Sequence, residues 1–240
     1  MPKANKLLKI AMTLNPLLLR ALRYGVAASI EHMCILRHIE CSTVVDIGAN
    51  RGQFALLLRH YFSNARIISF EPLAEPAAKF RKVFANDKAV VLHEVAIGPN
   101  EATVMMHVSG RDDSSSLLSI TAAQSEIFPG TEEVATREIR VAPLDAFVTA
   151  DEIRAPAMLK LDVQGFEYEA LIGSEALLLY FDLVYCECSF IELYSGQKLV
   201  SEIIAWLSAR GFVLIGVYNS SYDRLGIAIQ ADFLFARNDN

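Results

Sequence analysis

The period of the apolar positions alternates between two and about three and a half along most of the chain. Residues 44–47, Val-Val-Asp-Ile, form a β-branched run behind Ser42-Thr43 and stop at Gly48, which predicts a buried strand. Phe54, Leu57, Leu58 and Tyr61 then recur at helical spacing, predicting a helix over 53–61. A second strand is expected over 66–70, closed by Glu71-Pro72, because proline cannot donate to a sheet ladder. Ala77, Phe80, Val83 and Phe84 share one face of a helix over 74–84, and 90–97 reads as a third strand ending at Gly98-Pro99.

The middle of the chain differs. Residues 103–108 and 138–141 alternate like half-exposed strands around a stretch rich in Ser, Asp, Gly and Thr, so an insert of about 99–142 is expected as a loop or lid beside the sheet. Regular alternation resumes with a strand over 158–163, a helix over 166–179, a strand over 183–188 and a helix over 197–210. Residues 212–217 and 227–235 follow as two strands joined by a short turn region, hence antiparallel. The expected fold is α/β, a doubly wound, Rossmann-like and mostly parallel sheet with a terminal antiparallel pair. Residues 41–240 would form this domain and residues 1–40 an N-terminal helical cap.

Length and composition narrow the class. At 240 residues, 53% hydrophobic and 21% charged, the chain is sized for one well-buried α/β domain. A net charge of −6 with no Lys/Arg stripe speaks against a nucleic-acid partner. Cys34, Cys41, Cys186 and Cys188 form no C-x-x-C pair and have no histidine cluster beside them, so they read as buried free thiols and no metal site is expected. Lys3, Lys6 and Lys9 precede an apolar run, but Asn15-Pro16, Arg20 and Arg23 break it and no small-residue cleavage site follows. The run is too short and too charged to span a bilayer, so no stable membrane insertion and a cytoplasmic location are expected.

The residues that carry chemistry stand at strand ends. Asp46-Ile47-Gly48-Ala49-Asn50-Arg51-Gly52 joins the first strand to the first helix with the spacing D-x-G-x-x-x-G. Glycines let the backbone turn there and a ligand approach the helix start. Dinucleotide binders use G-x-G-x-x-G at this turn, and a carboxylate two residues before the first glycine would repel a pyrophosphate. It suits instead a ligand with an ammonium and a sulfonium, as in S-adenosyl-L-methionine. Glu71, ending the second strand, is placed to accept from both ribose hydroxyls, or else to cap the helix after Pro72.

In Leu159-Lys160-Leu161-Asp162-Val163-Gln164-Gly165-Phe166-Glu167, alternation puts Lys160 and Asp162 on one face. With this strand beside the first, Asp162 would stand near Asp46 and could take a proton from an attacking hydroxyl or steer the donor electrostatically. A Lys160–Asp162 ion pair before a helix start is the alternative. Lys160, Gln164 and, on the next strand, Glu187 are candidates for facing the acceptor. The five histidines, His32, His38, His60, His93 and His107, stand singly.

Together VVDIGANRGQF at 44–54, SFEP at 69–72, DSSSL at 113–117 and LKLDVQGFE at 159–167 resemble the FkbM-type methyltransferases over most of the chain. The resemblance implies a class I methyltransferase fold, S-adenosyl-L-methionine as donor, and O-methylation of a small molecule or saccharide by in-line transfer. Carried over by position, Asp46, Gly48, Asn50 and Gly52 would form the donor turn, Glu71 the ribose ligand and Ala96 a backbone contact to adenine. Ser116 and Asp162 would face donor or acceptor. An NAD(P)-dependent oxidoreductase and a non-catalytic S-adenosylmethionine-binding protein are the competing readings.

Overall fold

The computed structural model describes residues 15–238. Seven strands form one sheet in the order β3 (Val90–His93), β2 (Arg66–Phe70), β1 (Thr43–Ile47), β7 (Ala157–Leu161), β8 (Leu183–Ser189), β10 (Ala228–Arg237), β9 (Phe212–Tyr222). Its centre is β1 (Thr43–Ile47) between β2 (Arg66–Phe70) and β7 (Ala157–Leu161), all parallel, with Asp46 opposite both Ser69 and Lys160. Every residue of β1 and of β7 is buried, as expected of strands covered by helices on both faces. β3 (Val90–His93) extends one edge, and β8 (Leu183–Ser189) adds to β7 in parallel. β10 (Ala228–Arg237) lies antiparallel between β8 and β9 (Phe212–Tyr222), which is the terminal pair read from the sequence.

The helices fall where apolar spacing put them. Counting from the cap, α1 is Pro16–Leu22 and α2 is Met33–Leu36, after a 3-10 turn at Ile30–His32. α3 (Gln53–Tyr61) and α4 (Ala74–Phe84) cover the β1–β2 half. One core, with Phe54, Leu57, Phe80 and Phe84, joins these helices to the cap through Leu18, Ile35 and Leu36. On the other face Ile47, Phe70, Leu159, Trp206 and Phe235 form a second core, reached by α6 (Glu167–Gly173) and α7 (Val200–Ser208).

Three expectations need correction. The strand expected over 90–97 is two strands. β3 ends at His93, the exposed Glu94 turns the chain, and β4 (Ala96–Ile97) pairs with Val141 and Ala142 in another sheet. The insert is accordingly more than a loop: β5 (Ala102–Ser109) and β6 (Glu133–Ala142) form a long antiparallel ladder that, with β4, makes a three-stranded sheet carrying α5 (Ala122–Ile127) between its strands. The helix expected over 166–179 is broken at Ser174, where α6 gives way to a 3-10 stretch at Glu175–Tyr180. Cys41, Cys186 and Cys188 are buried free thiols as expected, whereas Cys34 is exposed. Among the described residues no helix is long and apolar enough to cross a membrane. Lys3, Lys6 and Lys9 lie outside them.

Candidate active site

At the carboxyl ends of β1, β2, β7 and β8 lies a cavity of about 420 Å³, the switch-point position at which open α/β sheets bind ligands. Its first wall is the β1–α3 turn. Gly48 and Gly52 have φ of +83° and +87°, and Asn50 between them has +47°. A β-carbon on Gly48 would lie 1.9 Å from the Asp162 carbonyl oxygen, and one on Gly52 2.7 Å from the Phe84 ring. Glycine is therefore demanded by both backbone sign and space. The turn is pinned by Gly48 and Ala49 N–H donating to Phe70 O at 3.0 and 2.9 Å, and by Asp162 N–H donating to Ile47 O at 3.1 Å.

Glu71 closes this wall. One carboxylate oxygen accepts from Asn50 N–H at 2.9 Å and the other from Leu73 N–H at 2.8 Å. The carboxylate thus braces the turn and the entry to α4 at once. Gly48, Asn50, Glu71 and Ala96 all line the cavity, beside apolar Val95, Ile97 and Met106.

Asp46 and Lys160 are placed differently from each other. Asp46 is fully buried and does not line the cavity, so its carboxylate would influence a ligand ammonium through Lys160. Lys160 stands between, its Nζ 3.2 Å from Asp46 Oδ1, 3.5 Å from Asp162 Oδ2 and 3.3 Å from the Gly48 carbonyl. Burial works to lower the Lys160 pKa, but the two carboxylates outweigh it and the net shift is upward. Burial raises Asp46, and Lys160 pulls it back down. Gly52 also stays out of the cavity, packed on Phe80 and Phe84. Ser116 is buried: its hydroxyl accepts Leu118 N–H at 3.0 Å and its backbone pairs with His107, while Ser114 and Ser115 line the cavity.

The far wall is a hydrogen-bonded carboxylate–amide array. Gln164, at φ +56°, donates from Nε2 to Asp162 Oδ1 at 2.8 Å and to Glu187 Oε2 at 2.9 Å, while its Oε1 accepts from Tyr194 at 2.8 Å. Gln230 Nε2 donates to Glu187 Oε1 at 3.0 Å. Desolvation first, then the neighbouring carboxylates Asp162, Asp232 and Glu167, pushes Glu187 well above the usual carboxylate range. The four residues singled out here, Lys160, Asp162, Gln164 and Glu187, all line the cavity.

Four further residues meet at this end without having stood out in the sequence. His32 Nδ1, from the cap, is 2.8 Å from Tyr185 Oη and 3.4 Å from Asp232 Oδ2. Asp232 Oδ2 also accepts from Tyr185 at 3.0 Å and from Asn219 Nδ2 at 2.7 Å. Burial lowers the His32 pKa, against the pull of Asp232, and burial raises that of Asp232, partly offset by His32. His32, Asn219 and Asp232 line the cavity. Among the described residues no group of three or more His, Cys, Asp or Glu is arranged to hold a metal ion.

This geometry agrees with what the chain is similar to. Residues 46–214, more than half of it, match the family described as the methyltransferase FkbM domain. It is 27% identical over 172 residues to the 2-O-methyltransferase NoeI of Sinorhizobium fredii, covering 67% of this chain and 69% of that one. Among solved structures, Streptococcus pneumoniae Sp1610, described as a candidate tRNA (m1A22) methyltransferase and solved with S-adenosyl-L-methionine, superposes with a TM-score of 0.51. That match has 10% identity and covers 89% of this chain and 74% of that one. An uncharacterised Listeria monocytogenes protein gives 0.50, at 7% identity and 89% and 70% coverage. These two likenesses speak for the fold. The chain belongs to the FkbM methyltransferase family, S-adenosyl-L-methionine-dependent enzymes built on a class I sheet.

Proposed function

We propose that this enzyme O-methylates a hydroxyl of a small polyhydroxylated molecule, a saccharide in the first instance. The observation that carries the reading is the far wall: Asp162, Glu187 and Asp232, interleaved with Gln164, Asn219 and Gln230, present acceptors and amides to the cavity. Such a surface recognises hydroxyl groups, which donate to carboxylates and accept from amides. The similarity to a 2-O-methyltransferase points the same way.

The donor site fits its ligand by chemistry. Glu71 brings to the cavity a carboxylate, the kind of group that takes a ribose diol, while Val95, Ile97 and Met106 offer an apolar side for a flat base and Asp162 would face a cationic centre. The bound donor supplies an electrophilic methyl group on a sulfonium. With the N–H groups of Gly48 and Asn50 given to Phe70 and Glu71, their carbonyl oxygens are what would meet the donor's ammonium, and Asp46 would act on it only through Lys160. Asp162, side chain 35% exposed and fixed by Lys160 and Gln164, places negative charge beside the reacting centre. Catalysis otherwise comes from holding oxygen and methyl in line.

The test is transfer of isotope-labelled methyl to a panel of methyl hexopyranosides and simple polyols, read by mass spectrometry as a methyl ether. Product on a hydroxyl is expected, with Asp162→Asn lowering turnover by about a hundredfold. Methyl incorporation at nitrogen or carbon only, or none in a protein that binds S-adenosylhomocysteine, would overturn the hydroxyl reading.

A further inference from the structure

An imidazole reaches the acceptor wall from the cap. Asp162 is committed through both oxygens, to Lys160 and to Gln164, and Glu187 through both, to Gln164 and Gln230. Asp232 Oδ2 holds Tyr185 and Asn219. His32 differs: Nδ1 takes the contacts to Tyr185, Asp232 and Asn219, and Nε2 has no hydrogen-bond partner among the described residues. Its ring is fixed edge-on to Phe54 and to Tyr185, with centroids 5.1 and 5.6 Å away.

We propose that His32 is the general base of the methyl transfer, with Tyr185 and Asp232 as its positioning residues. The proposal rests on the hydroxyl reading above. In the tautomer this requires, Nδ1–H donates to Tyr185 Oη, the phenol donates onward to Asp232 Oδ2, and Asn219 Nδ2 gives its hydrogen to Asp232 at 2.7 Å rather than to Nδ1 at 3.2 Å, which leaves the lone pair on Nε2. As the acceptor oxygen bonds to the methyl carbon and the carbon–sulfur bond breaks, the hydroxyl proton passes to Nε2. The products are a methyl ether, a neutral thioether and an imidazolium facing Asp232, which later loses the proton to water. The charged groups facing His32 are Asp232 from β10, Lys160 of β7, Asp162 just beyond it, and the adjacent Glu31, with the phenol of Tyr185 from β8. Burial is the largest influence on the ring and keeps it neutral near neutral pH, as a base must be.

Two measurements on the full chain with S-adenosylhomocysteine bound decide the matter. In the first, nitrogen NMR of histidine-labelled protein should find His32 with the proton on Nδ1 and the lone pair on Nε2. A proton on Nε2 at neutral pH would overturn the proposal, whatever the acceptor. The second is the pH profile of turnover on the hexopyranoside methylated fastest in the panel. His32→Gln should lower kcat by roughly a hundredfold or more and abolish its acid limb, with S-adenosylhomocysteine affinity unchanged. Asp232→Asn should shift the acid limb to lower pH, because that carboxylate raises the histidine, an effect a merely structural role would not produce. A His32→Gln variant with wild-type kcat and limb would place the base elsewhere. If no hydroxyl compound is methylated the hydroxyl reading fails by itself, and the NMR result still decides the state of His32.

Discussion

Lys160→Met isolates the pair on which the donor turn rests. The side chains are of similar length, so the change removes charge with little change of shape. Asp46 is 0% exposed, and the Lys160 ammonium at 3.2 Å is what compensates its burial. Breaking such a pair from one side costs about 3–5 kcal/mol, because the other charge stays buried and alone. In a domain of this size that lowers Tm by roughly 6–20 °C. Asp162 contributes little to the loss, since its side chain is 35% exposed and water can solvate it. The deficit has a pH sign. Burial already raises Asp46 and Lys160 is the chief influence holding it down, so the variant's folded-state value rises further. A raised acid stabilises the fold below its unfolded pKa and loses that contribution as pH rises through the folded one. Lys160→Met should therefore lie nearer to wild type at about pH 5 than at about pH 8. The double variant Asp46→Asn, Lys160→Met should recover most of the loss at the higher pH. Urea denaturation of wild type and both variants at the two pH values measures this. A single variant within about 1 kcal/mol of wild type, or equal to the double variant at both pH values, would refute the reasoning.

Three further outcomes follow from the same wall. Glu71→Gln turns one acceptor toward an N–H donor, and S-adenosylhomocysteine affinity by calorimetry should fall about ten- to hundredfold; an unchanged affinity would remove Glu71 from the donor site. Gly48→Ala places a methyl 1.9 Å from the Asp162 carbonyl at φ +83°, so β1 and β7 must part at their ends. It should abolish S-adenosylhomocysteine binding measured the same way, and retained affinity would show the turn to be adaptable. Glu167, pushed up to about 7 by burial, accepts from Val163 and Gly165 N–H. The native state therefore keeps a proton that the unfolded chain releases near 4.5, and stability should decline by about 3 kcal/mol between those values as pH rises. Glu167→Gln should flatten that decline in a urea-midpoint series, and parallel slopes in the two proteins would exclude Glu167 as its cause.

What could be read in the sequence depended on whether the cause was local. The elements Gln53–Tyr61, Arg66–Phe70 and Ala74–Phe84 have the bounds expected of them, because Gly52 and Glu71-Pro72 stop the pattern sharply. The split between β3 and β4 was hidden: the apolar run continues through Val95, and the partner that captures Ala96 is Val141, far along the chain. The surroundings of Asp46 were hidden for a related reason. In a strand buried on both faces periodicity does not say what a side chain faces, and the answer was Lys160 on a strand over a hundred residues away. His32 had no signal at all, since its partners Tyr185 and Asn219 stand 153 and 187 positions later.

The family match begins at Asp46 and ends at residue 214, and that boundary divides the cavity. The β1–α3 turn, Glu71, Asp162, Gln164 and Glu187 lie inside it; His32, Asn219, Gln230 and Asp232 lie outside and meet at the far wall. A methyl donor is the same molecule for every enzyme that uses it, so the parts that hold it belong to the shared frame. An acceptor is specific, and its orientation must be set by groups free to differ. The antiparallel pair β9–β10 brings Asn219, Gln230 and Asp232 to the end of β8, and the cap closes over them with His32. On this view the cap does more than cover apolar surface. If His32 is the base, acceptor selection and proton removal come from one network, so an acceptor that fails to seat beside Asp232 also fails to reach Nε2 and is discriminated in the transition state.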